Sequence, residues 1–532
     1  MMKIALSIIL GGDLVRSTEH VGIGYIASCL REKGHDVSII EIKDINNKKD
    51  YEKLLVGNFD VVGFTTTCIT LKLVLQMAQI LKDNNSSVIN VCGGHMATFS
   101  GEEILENYKQ IDFIIFGEGE ITFNELLECL EGKANLASVK GLMYKNDSKV
   151  FINEERELIC DLDTLPFPAR DQFIQHDFQF QYLRISTSRG CLGNCGFCSS
   201  FVGRNQKGQR WRGRSPKNVV DEIEHITKTY NFHTFDFVDS TFEDPGKEGK
   251  QRIRDIASEI LDRNLEIYYN CCFRAENWTE KDRETLSILV KSGLEKVNIG
   301  FESGNDRGLR ILNKRARMQD NWEAIKILSE FPNIYITFGF IMLHPYSTME
   351  DIFDNAKFLH DTGFGQVIRH YFWQLEVYPS TLMEEKLKTD NILCKDYDIA
   401  DGIYKYKFVD ERVAYLSPIF NEFLKLKSVW DFEIFDILIH TFITRLRRKY
   451  SNTNLVKKIN SLSNFVDRNR KEIADFNYEF FMKLYHFHSD YNIEDEKSRL
   501  DSFLVNKMNI ITNKQYQIGR ELLKLGQGLV KR

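Results

Sequence analysis

Residues 182–198 read YLRISTSRGCLGNCGFC, and this stretch decides the fold of the region around it. The run YLRIST has the composition of a short strand. It is followed at once by a loop with three cysteines and three glycines: Cys191, Cys195, Cys198, Gly190, Gly193 and Gly196. Because glycine has no side chain to obstruct the backbone, such a loop can wrap tightly around a bound group.

The cysteine spacing indicates which kind of group this loop binds. Three thiolates are soft ligands that suit an iron–sulfur cluster, and a cubane held by three cysteines leaves one iron open to a small molecule. Structural zinc would need a fourth ligand, and the sequence has no second C-x-x-C pair. A disulfide framework is disfavoured, because 11 cysteines in a long chain without a signal-peptide pattern are expected to be reduced thiols. The sequence therefore predicts a [4Fe-4S] cluster held by this loop.

Further strand-like runs follow the cysteine loop and alternate with helical patterns. Counted with YLRIST there are six, at residues 182–187, 234–238, 267–271, 296–301, 334–341 and 367–373. Alternation of this kind predicts a partial (β/α)6 barrel of the TIM type over residues 179–378. Its chemistry is expected at the carboxyl ends of the strands, which is where the cysteine loop falls.

A second alternating series precedes the loop and predicts a Rossmann-like, doubly wound α/β domain over residues 1–135. Ligands of such sheets bind beyond the carboxyl ends of the strands. The residues expected there are Thr65, Thr66, Thr67, Gly93, Gly94, His95, Gly117, Glu118, Gly119 and Glu120. A dinucleotide is disfavoured because no G-x-G-x-x-G with an acidic partner is present. Taken alone, these loops fit ordinary tight turns equally well.

The remaining segments predict a linker and a third domain. Residues 136–178 contain a hairpin pattern followed by Leu-Pro-Phe-Pro, a stiff connector. Residues 379–532 predict an all-helical C-terminal domain, because 419–518 contain neither glycine nor proline. We expect these helices to pack on the barrel as a wall of the active-site cavity.

Composition limits the partners of the chain. It has 532 residues, 43% of them hydrophobic, with a net charge of −6 and a pI near 6.1. The acidic balance offers no field for a phosphate backbone, so we expect no nucleic-acid partner. The apolar run at residues 4–10 is too short to cross a bilayer. We therefore expect a cytoplasmic protein without a membrane span.

The motif C-x-x-x-C-x-F-C at the end of the first barrel strand resembles that of the radical S-adenosylmethionine superfamily. The resemblance implies that Cys191, Cys195 and Cys198 hold a [4Fe-4S] cluster whose open iron binds S-adenosylmethionine, and that reductive cleavage yields a 5′-deoxyadenosyl radical. Matching segments follow in order: VDSTF at 238–242, Arg274, and GFESG at 300–304. By resemblance, the residues that contact the cofactor are Phe197, Asp239, Arg274, Glu302 and Ser303.

The fifth barrel strand departs from the family pattern. It carries Leu343-His344-Pro345 where the family has a glycine turn. His344 is therefore predicted as a catalytic residue that contacts substrate or transfers a proton. A structural histidine is the alternative.

The N-terminal domain resembles the cobalamin-binding domain that is fused to many radical S-adenosylmethionine enzymes. The resemblance is carried by VGFTTT (62–67), GGHMAT (93–98), GEGE (117–120) and LPFPARD (165–171). It implies that the three strand-end loops hold cobalamin. Methylthiotransferases share the domain order but are disfavoured. Cys29 lies in a helical pattern, and the chain ends in helices where those enzymes have a small β-barrel.

Together the two resemblances predict a cobalamin-dependent radical S-adenosylmethionine enzyme. The favoured activity transfers a methyl group from methylcobalamin to an unactivated carbon of a small-molecule or peptide substrate. An external electron donor of the flavodoxin or ferredoxin type would supply electrons. Two alternatives remain open: cyclisation, ring contraction or oxidation without methyl transfer, and a non-catalytic corrinoid or iron–sulfur binding protein.

Overall fold

The structure is a computed structural model that describes residues 1–10, 19–146, 149–176, 180–199, 209–451, 453–486 and 492–529, with side chains up to residue 520. The chain divides into two compact units. The first contains Met1–Cys272, Lys291–Gly293 and Glu376–Tyr406. The second contains Phe273–Val290, Leu294–Leu375 and Lys407–Arg532.

A seven-stranded sheet with the order β2-β1-β3-β4-β5-β6-β7 opens the first unit. Its elements are β1 (Lys3–Ile9), α1 (Val21–Glu32), β2 (Asp36–Ile42), α2 (Lys48–Val56), β3 (Val61–Thr66), α3 (Leu71–Asn84), β4 (Ile89–Gly94), α4 (His95–Asn107), β5 (Phe113–Ile115), α5 (Gly119–Leu130), β6 (Leu142–Asn146) and β7 (Lys149–Ile152). The first five strands are parallel, and the predicted hairpin β6–β7 adds an antiparallel edge. The tip of that hairpin, residues 147–148, lies outside the described residues.

The burial of this sheet confirms the doubly wound prediction. Six of the seven residues of β1 are buried, which requires that both faces of the strand are covered. One apolar cluster packs Val62 and Phe64 with Leu75 of α3. A second cluster packs Ile4 and Leu6 with helices α1 and α5. The sheet therefore lies between two helical layers, with its ligand-binding edge at the strand carboxyl ends.

The barrel region begins after the connector. Its elements are α6 (Asp171–Gln175), β8 (Leu183–Ile185), β9 (Ser188–Arg189), β10 (Arg212–Gly213), α7 (Pro216–Tyr230), β11 (Thr234–Phe237), α8 (Gly246–Asp262), β12 (Tyr268–Arg274), α9 (Arg283–Ser292), β13 (Leu294–Glu302), α10 (Asp306–Ile311), α11 (Met318–Ser329), β14 (Tyr335–Phe340) and α12 (Met349–Asp361). The sheet order is β14-β13-β12-β11-β8. Strand β12 contributes its first residues to the first unit and its last two to the second. The predicted domain boundary at 178–179 lies outside the described residues.

The sixth predicted barrel strand, 367–373, is not a strand in the structure. Residues Ile368–Tyr371 form a short 3₁₀ helix instead. Ile368, Tyr371 and Phe372 are buried, and their spacing is helical rather than alternating. A run of seven residues with five apolar members does not distinguish a strand from a buried helical turn, which is why the sequence prediction was wrong here.

Helices dominate the end of the chain, as predicted: α13 (Leu382–Thr389), α14 (Glu411–Leu424), α15 (Lys427–Lys449), α16 (Leu455–Tyr485) and α17 (Ile493–Leu529). In the second unit, α15 runs beside the sheet's edge strand. Asp436 of α15 accepts a 2.6 Å hydrogen bond from the Tyr335 hydroxyl of β14, and Arg445 pairs with Glu295 of β13 at 2.6 Å.

Residues 376–406 belong to the first unit, although the sequence prediction groups 379–406 with the C-terminal helices. Ile399 is 3% exposed and joins the apolar cluster of α3 and α4, with Tyr397 and Ala400 packed beside it. Apolar packing against the N-terminal domain therefore separates this segment from α14–α17.

Candidate functional site

The three cysteines of the loop border one small cavity of about 50 Å³. Its other described lining residues are Phe99, Gly193, Asn194, Ser199, Ser380, Thr381 and Leu382. A Cβ atom on Gly193 would lie 3.2 Å from the sulfur of Cys191 and 3.8 Å from that of Cys195. Two thiols thus converge beside a glycine that leaves their space free.

This donor set fits an iron–sulfur cluster. Within the described ranges, no three His, Cys, Asp or Glu side chains are arranged to hold a single metal ion. The three thiols instead surround a cavity, as ligands of a multi-iron group do. Phe197 lies half-buried between Cys195 and Cys198. The neighbouring Gly196 carbonyl accepts a 2.8 Å hydrogen bond from the Met383 amide, which fixes the loop against α13.

Asp239, predicted to contact S-adenosylmethionine, holds the strand that leads into the cysteine loop. Its carboxylate accepts hydrogen bonds from the Thr187 amide at 2.7 Å and the Ser188 amide at 2.8 Å, and also from the Thr187 hydroxyl. Burial raises the pKa of Asp239 above its ordinary value, against the opposing effect of Arg252. Its visible role is to fix the turn between β8 and β9.

A larger cavity of about 760 Å³ lies in the same unit. Strand-end residues of the N-terminal domain line one side: His20, Thr65, Gly93, Gly94, His95, Gly117, Glu118, Gly119 and Glu120. Residues at the start of the barrel line the other: Ser186, Ser188, Arg189, Gly190, Cys191, Arg210, Arg212, Val238 and Ser240. Cys191 borders both cavities, so the cysteine loop adjoins the space in front of the N-terminal sheet.

The predicted threonines divide into two groups. Thr65 lines the large cavity. The buried Thr66 hydroxyl donates to the Gly93 carbonyl at 2.8 Å and accepts from the Ala97 amide at 3.0 Å. The Thr67 hydroxyl lies 3.1 Å from that of Thr70 at the start of α3. Thr66 and Thr67 therefore organise the loops, whereas Thr65 faces the cavity.

The glycines on the N-terminal side suit a large flat ligand. Gly94 has a φ of 91°, and a Cβ atom there would lie 2.8 Å from the Thr66 carbonyl oxygen. The backbone of Gly93 is open, with the nearest atom to a Cβ at 3.8 Å. Next to them, the His95 ring is exposed to the cavity, and the surrounding protein lowers its pKa through burial. Bare backbone and a neutral imidazole fit close approach of a corrin ring.

The two glutamates of the GEGE turn face arginines of the barrel region. Glu118 pairs with Arg189 at 3.0 Å and with Arg212 at 2.9 Å, and Glu120 pairs with Arg189 at 2.6 Å. Sequence reasoning assigned the glutamates to the cofactor and missed both arginines. Arg189 could have been found from its position two residues before Cys191. No feature of the sequence marks Arg212 as part of the site.

Arg274, Glu302 and Ser303 lie in the second unit, at or just beyond the carboxyl ends of β12 and β13. Arg274 donates to Glu276 at 3.0 and 2.7 Å. Ser303 donates to Asn355 at 3.1 Å. These side chains are thus held in place by neighbours within the unit.

Glu302 occupies a specialised position. Its φ of 65° lies in the left-handed region, which is uncommon for glutamate. A Cβ on Gly300 or Gly339 would lie 2.5 Å or 3.0 Å from its carboxylate, so both glycines make room for it. Burial raises the pKa of Glu302, and Lys314 at 3.7 Å opposes that shift. A residue other than glycine that is held in the left-handed region is typical of functional sites.

His344 is 2% exposed. Its Nδ1 accepts a hydrogen bond from the Tyr346 amide at 3.2 Å, and its own amide donates to the Ser347 hydroxyl at 2.9 Å. Burial lowers the pKa of His344 to about 4. These contacts favour a role in the 344–347 turn over the predicted catalytic role.

The predicted wall of C-terminal helices is not among the described lining of the large cavity, which runs from Leu6 to Ser240. The part of the C-terminal region that reaches the site is Ser380–Leu382, beside the cysteines. Sequence reasoning missed this contact because nothing in residues 380–382 marks them as ligand-adjacent.

Comparison with known proteins agrees with this architecture. A model of the B12 binding domain matches residues 8–127, and a model of the radical SAM superfamily matches residues 185–359. The chain belongs to the cobalamin-dependent radical S-adenosylmethionine enzymes, whose cofactors are cobalamin, S-adenosylmethionine and a [4Fe-4S] cluster.

This chain is similar in sequence to two relatives and similar in fold to one solved structure. The uncharacterized methyltransferase PH0819 of Pyrococcus horikoshii is 30% identical over 448 residues, which cover 81% of this chain and 94% of that protein. The anaerobic magnesium-protoporphyrin IX monomethyl ester cyclase of Synechocystis is 26% identical over 317 residues, which cover 58% of this chain and 62% of the cyclase.

The solved structure is the cobalamin-dependent S-adenosylmethionine radical enzyme OxsB with aqua-cobalamin and S-adenosylmethionine bound. It superimposes with a TM-score of 0.71 at 21% identity, over 100% of this chain and 81% of OxsB. This likeness shows the fold. In the described part of this chain, no helix is long and apolar enough to cross a membrane.

Proposed function

We propose that this enzyme is a methyltransferase that transfers a methyl group from methylcobalamin to an unactivated carbon of a small molecule or peptide. The observation that carries the proposal is the large cavity, lined on one side by the loops of the B12-binding domain and on the other by Cys191 and its neighbours. A methyl group can pass between two cofactors only if both open into one space.

In this proposal each side of the cavity has its own task. Cys191, Cys195 and Cys198 hold the cluster, and Thr65, Gly93, Gly94 and His95 hold the corrinoid. Phe197, next to the cysteines, is proposed to contact S-adenosylmethionine, and Asp239 fixes the approach to the cysteine loop. Arg274, Glu302 and Ser303 are proposed as S-adenosylmethionine contacts on the family resemblance alone. When bound, the cluster and S-adenosylmethionine supply radical chemistry and the corrinoid supplies methyl transfer. The chain positions these groups and excludes water.

The lining also supports a substrate space of mixed character. Val238 and Ser240 follow β11 and line the large cavity from the barrel side, on either side of the anchored Asp239. Val238 is 38% exposed. An exposed valine beside a serine suits a substrate with an apolar carbon and a nearby polar group.

The test uses anaerobically reconstituted protein with S-adenosylmethionine that carries a trideuterated methyl group, and reduced flavodoxin or titanium citrate as the electron donor. A methyltransferase forms S-adenosylhomocysteine only when the corrinoid is present, because the methyl donor is consumed there. Mass spectrometry should recover label in the corrinoid fraction without any substrate. With substrate, methyl groups transferred and 5′-deoxyadenosine formed should be equal in number. Failure to form S-adenosylhomocysteine would contradict methyl transfer.

The second candidate is a reaction without methyl transfer, such as cyclisation. It is favoured by the 26% identity to the anaerobic magnesium-protoporphyrin IX monomethyl ester cyclase. The same experiment separates the two candidates, because this reaction produces 5′-deoxyadenosine without S-adenosylhomocysteine. The match with this chain spans 94% of the methyltransferase relative but only 62% of the cyclase. We therefore favour methyl transfer.

A further inference from the structure

The turn 117–120 carries a carboxylate, that of Glu118, that does not cap its own helix. Glu118 is the N-cap residue of α5, yet its side chain makes no capping hydrogen bond. The preceding Gly117 has a φ of 78°, a conformation that glycine adopts without strain. The turn thereby directs the Glu118 carboxylate away from α5 and toward the barrel region.

Four hydrogen bonds converge on the Glu118 carboxylate. Arg212 donates through one nitrogen to both oxygens, at 2.9 and 3.0 Å. Arg189 donates at 3.0 Å, and the Ile159 amide donates at 2.8 Å. Arg189 also donates to Glu120 at 2.6 Å. One carboxylate of the corrinoid loop is therefore shared by two arginines of the barrel region.

These two arginines lie at the two ends of the cysteine loop. Arg189 is on β9, two residues before Cys191. Arg212 is on β10, directly opposite Arg189 in the antiparallel pair. Gly190 completes the entry to the loop, with a φ of 88° and no room for a Cβ, which would lie 1.8 Å from the Arg210 carbonyl oxygen. The chain thus enters and leaves the cysteine loop through strands that are both tied to Glu118.

The network is buried and balanced in charge. The side chains of Arg212, Glu120, Glu118 and Arg189 are 5%, 6%, 12% and 18% exposed, with two positive and two negative charges. Burial alone would raise the pKa of Glu118, but Arg189 and Arg212 outweigh burial and the net shift is downward. Removing one partner of such a group leaves an uncompensated buried charge, which is strongly destabilising.

We propose that Glu118 couples the two cofactor sites, so that each site binds its cofactor more tightly when the other is filled. The inference rests on the two sites assigned under the proposed function. The turn 117–120 lines the large cavity, so a corrinoid there orders its backbone. The ion pairs extend that order to β9 and β10. The cysteine loop between them then loses less conformational entropy when it binds the cluster. Coupling of binding free energies is reciprocal, so the cluster must favour the corrinoid by the same factor.

The experiment measures the dissociation constant of hydroxocobalamin for the full chain with and without the reconstituted cluster. In the wild-type protein the cluster should tighten binding about tenfold, within the usual range of coupling between sites. In Glu118→Gln, which keeps the size of the side chain but removes its charge, the factor should fall below about twofold.

Asp171→Asn is the matched control. Asp171 also accepts a two-armed arginine contact, from Arg31 at 2.6 and 2.9 Å, and joins α1 to the connector without touching the cysteine loop. It should keep the wild-type factor. An equal factor in Glu118→Gln and the wild type, or none in the wild type, would overturn the proposal.

Arg189→Lys covers the case in which Glu118→Gln does not fold. Lysine keeps the charge but cannot reach both glutamates, so an intermediate factor is expected, and an unchanged factor overturns the proposal. As the reciprocal readout, hydroxocobalamin should slow the loss of iron to a chelator in the wild type and not in Glu118→Gln. Both readouts are independent of turnover. A protein that forms S-adenosylhomocysteine but shows no coupling refutes this inference alone.

Discussion

The two sides of the large cavity present different chemical groups to its interior. The N-terminal side exposes glycine backbone at Gly93, Gly94, Gly117 and Gly119, set among apolar side chains such as Ile26. The barrel side presents side chains, including the Cys191 thiol and the arginines 189, 210 and 212. A large planar ligand is accommodated by shape, whereas a cluster must be bound by specific donor atoms. The two sides should therefore respond differently to substitution, one to added bulk and the other to lost donors.

The largest effect is expected on the cluster side. Replacing Cys191, Cys195 or Cys198 by Ala removes one of only three protein ligands, so iron content should fall from about four per chain to near zero. Cleavage of S-adenosylmethionine should disappear with it. Cys160→Ala is the control, because Cys160 is exposed and outside the described lining of both cavities. Iron and sulfide analysis of anaerobically reconstituted protein measures the cluster content of each variant. A complete cluster in the variant with all three cysteines replaced by Ala would contradict their assignment as cluster ligands.

On the backbone side, added bulk should weaken the corrinoid site. Gly94→Ala places a methyl group 2.8 Å from the Thr66 carbonyl oxygen at a positive φ, so the β4–α4 turn must shift. We expect hydroxocobalamin to bind at least about tenfold more weakly, a loss of about 1.4 kcal/mol. Gly34→Ala shares a positive φ of 86° but meets no atom within 4 Å, and it should leave the affinity unchanged. Absorbance titration measures the affinity of both variants for hydroxocobalamin. Equal affinities for Gly94→Ala and Gly34→Ala would contradict a corrinoid site shaped by the glycine backbone.

Adjacent threonines separate loop structure from ligand contact. Thr66→Val leaves the Gly93 carbonyl and the Ala97 amide without their partner, which should lower the free energy of unfolding by about 2–4 kcal/mol. Thr65→Val should leave unfolding unchanged and weaken hydroxocobalamin binding by a few-fold. Denaturant titration and absorbance titration of the same samples test both. The opposite pattern would reverse the roles that we assign.

The effect at His344 appears only in acid. Its folded pKa of about 4 lies below the ordinary value of 6.5, so the unfolded chain binds more protons between these values. The contribution of neutral His344 to stability is therefore complete above about pH 6.5 and is lost as the pH falls toward 4.

His344→Asn keeps an acceptor for the Tyr346 amide and removes the titration. Relative to the variant, the wild type should lose about 1–2 kcal/mol between pH 7 and pH 5. Thermal unfolding across this range measures the difference. Parallel curves would contradict the buried, neutral state. If His344→Asn abolished turnover while leaving S-adenosylmethionine cleavage intact, the catalytic role predicted from the sequence would be restored.

Much of the fold follows from local pattern. The alternating series over residues 1–135 forms the predicted parallel sheet, and the cysteine loop lies at the end of a parallel strand as the barrel pattern requires. These features depend on periodicity and on residues close together in the sequence. The strand predicted at 367–373 was wrong because a seven-residue run with five apolar residues fits a strand or a helical turn equally well.

The parts of the site that the sequence did not reveal depend on distant partners. Glu118 meets Arg189 and Arg212 across 71 and 94 positions, and Ser380 donates to the Phe99 carbonyl across 281. A single sequence carries no signal for such pairs, since charged residues are expected on any loop. The same applies to Thr65 and Thr66, whose different roles follow only from which way each side chain points.

The central claim is that corrinoid and cluster face one cavity, and the magnetic interaction between them tests it directly. In full-length protein loaded with cob(II)alamin and the cluster, reduction of the cluster should broaden the cob(II)alamin electron paramagnetic resonance signal and speed its relaxation. Protein with Cys191, Cys195 and Cys198 all replaced by Ala gives the reference relaxation. A clear acceleration in the wild type is the predicted result. Relaxation that is unchanged by cluster reduction would contradict the shared cavity.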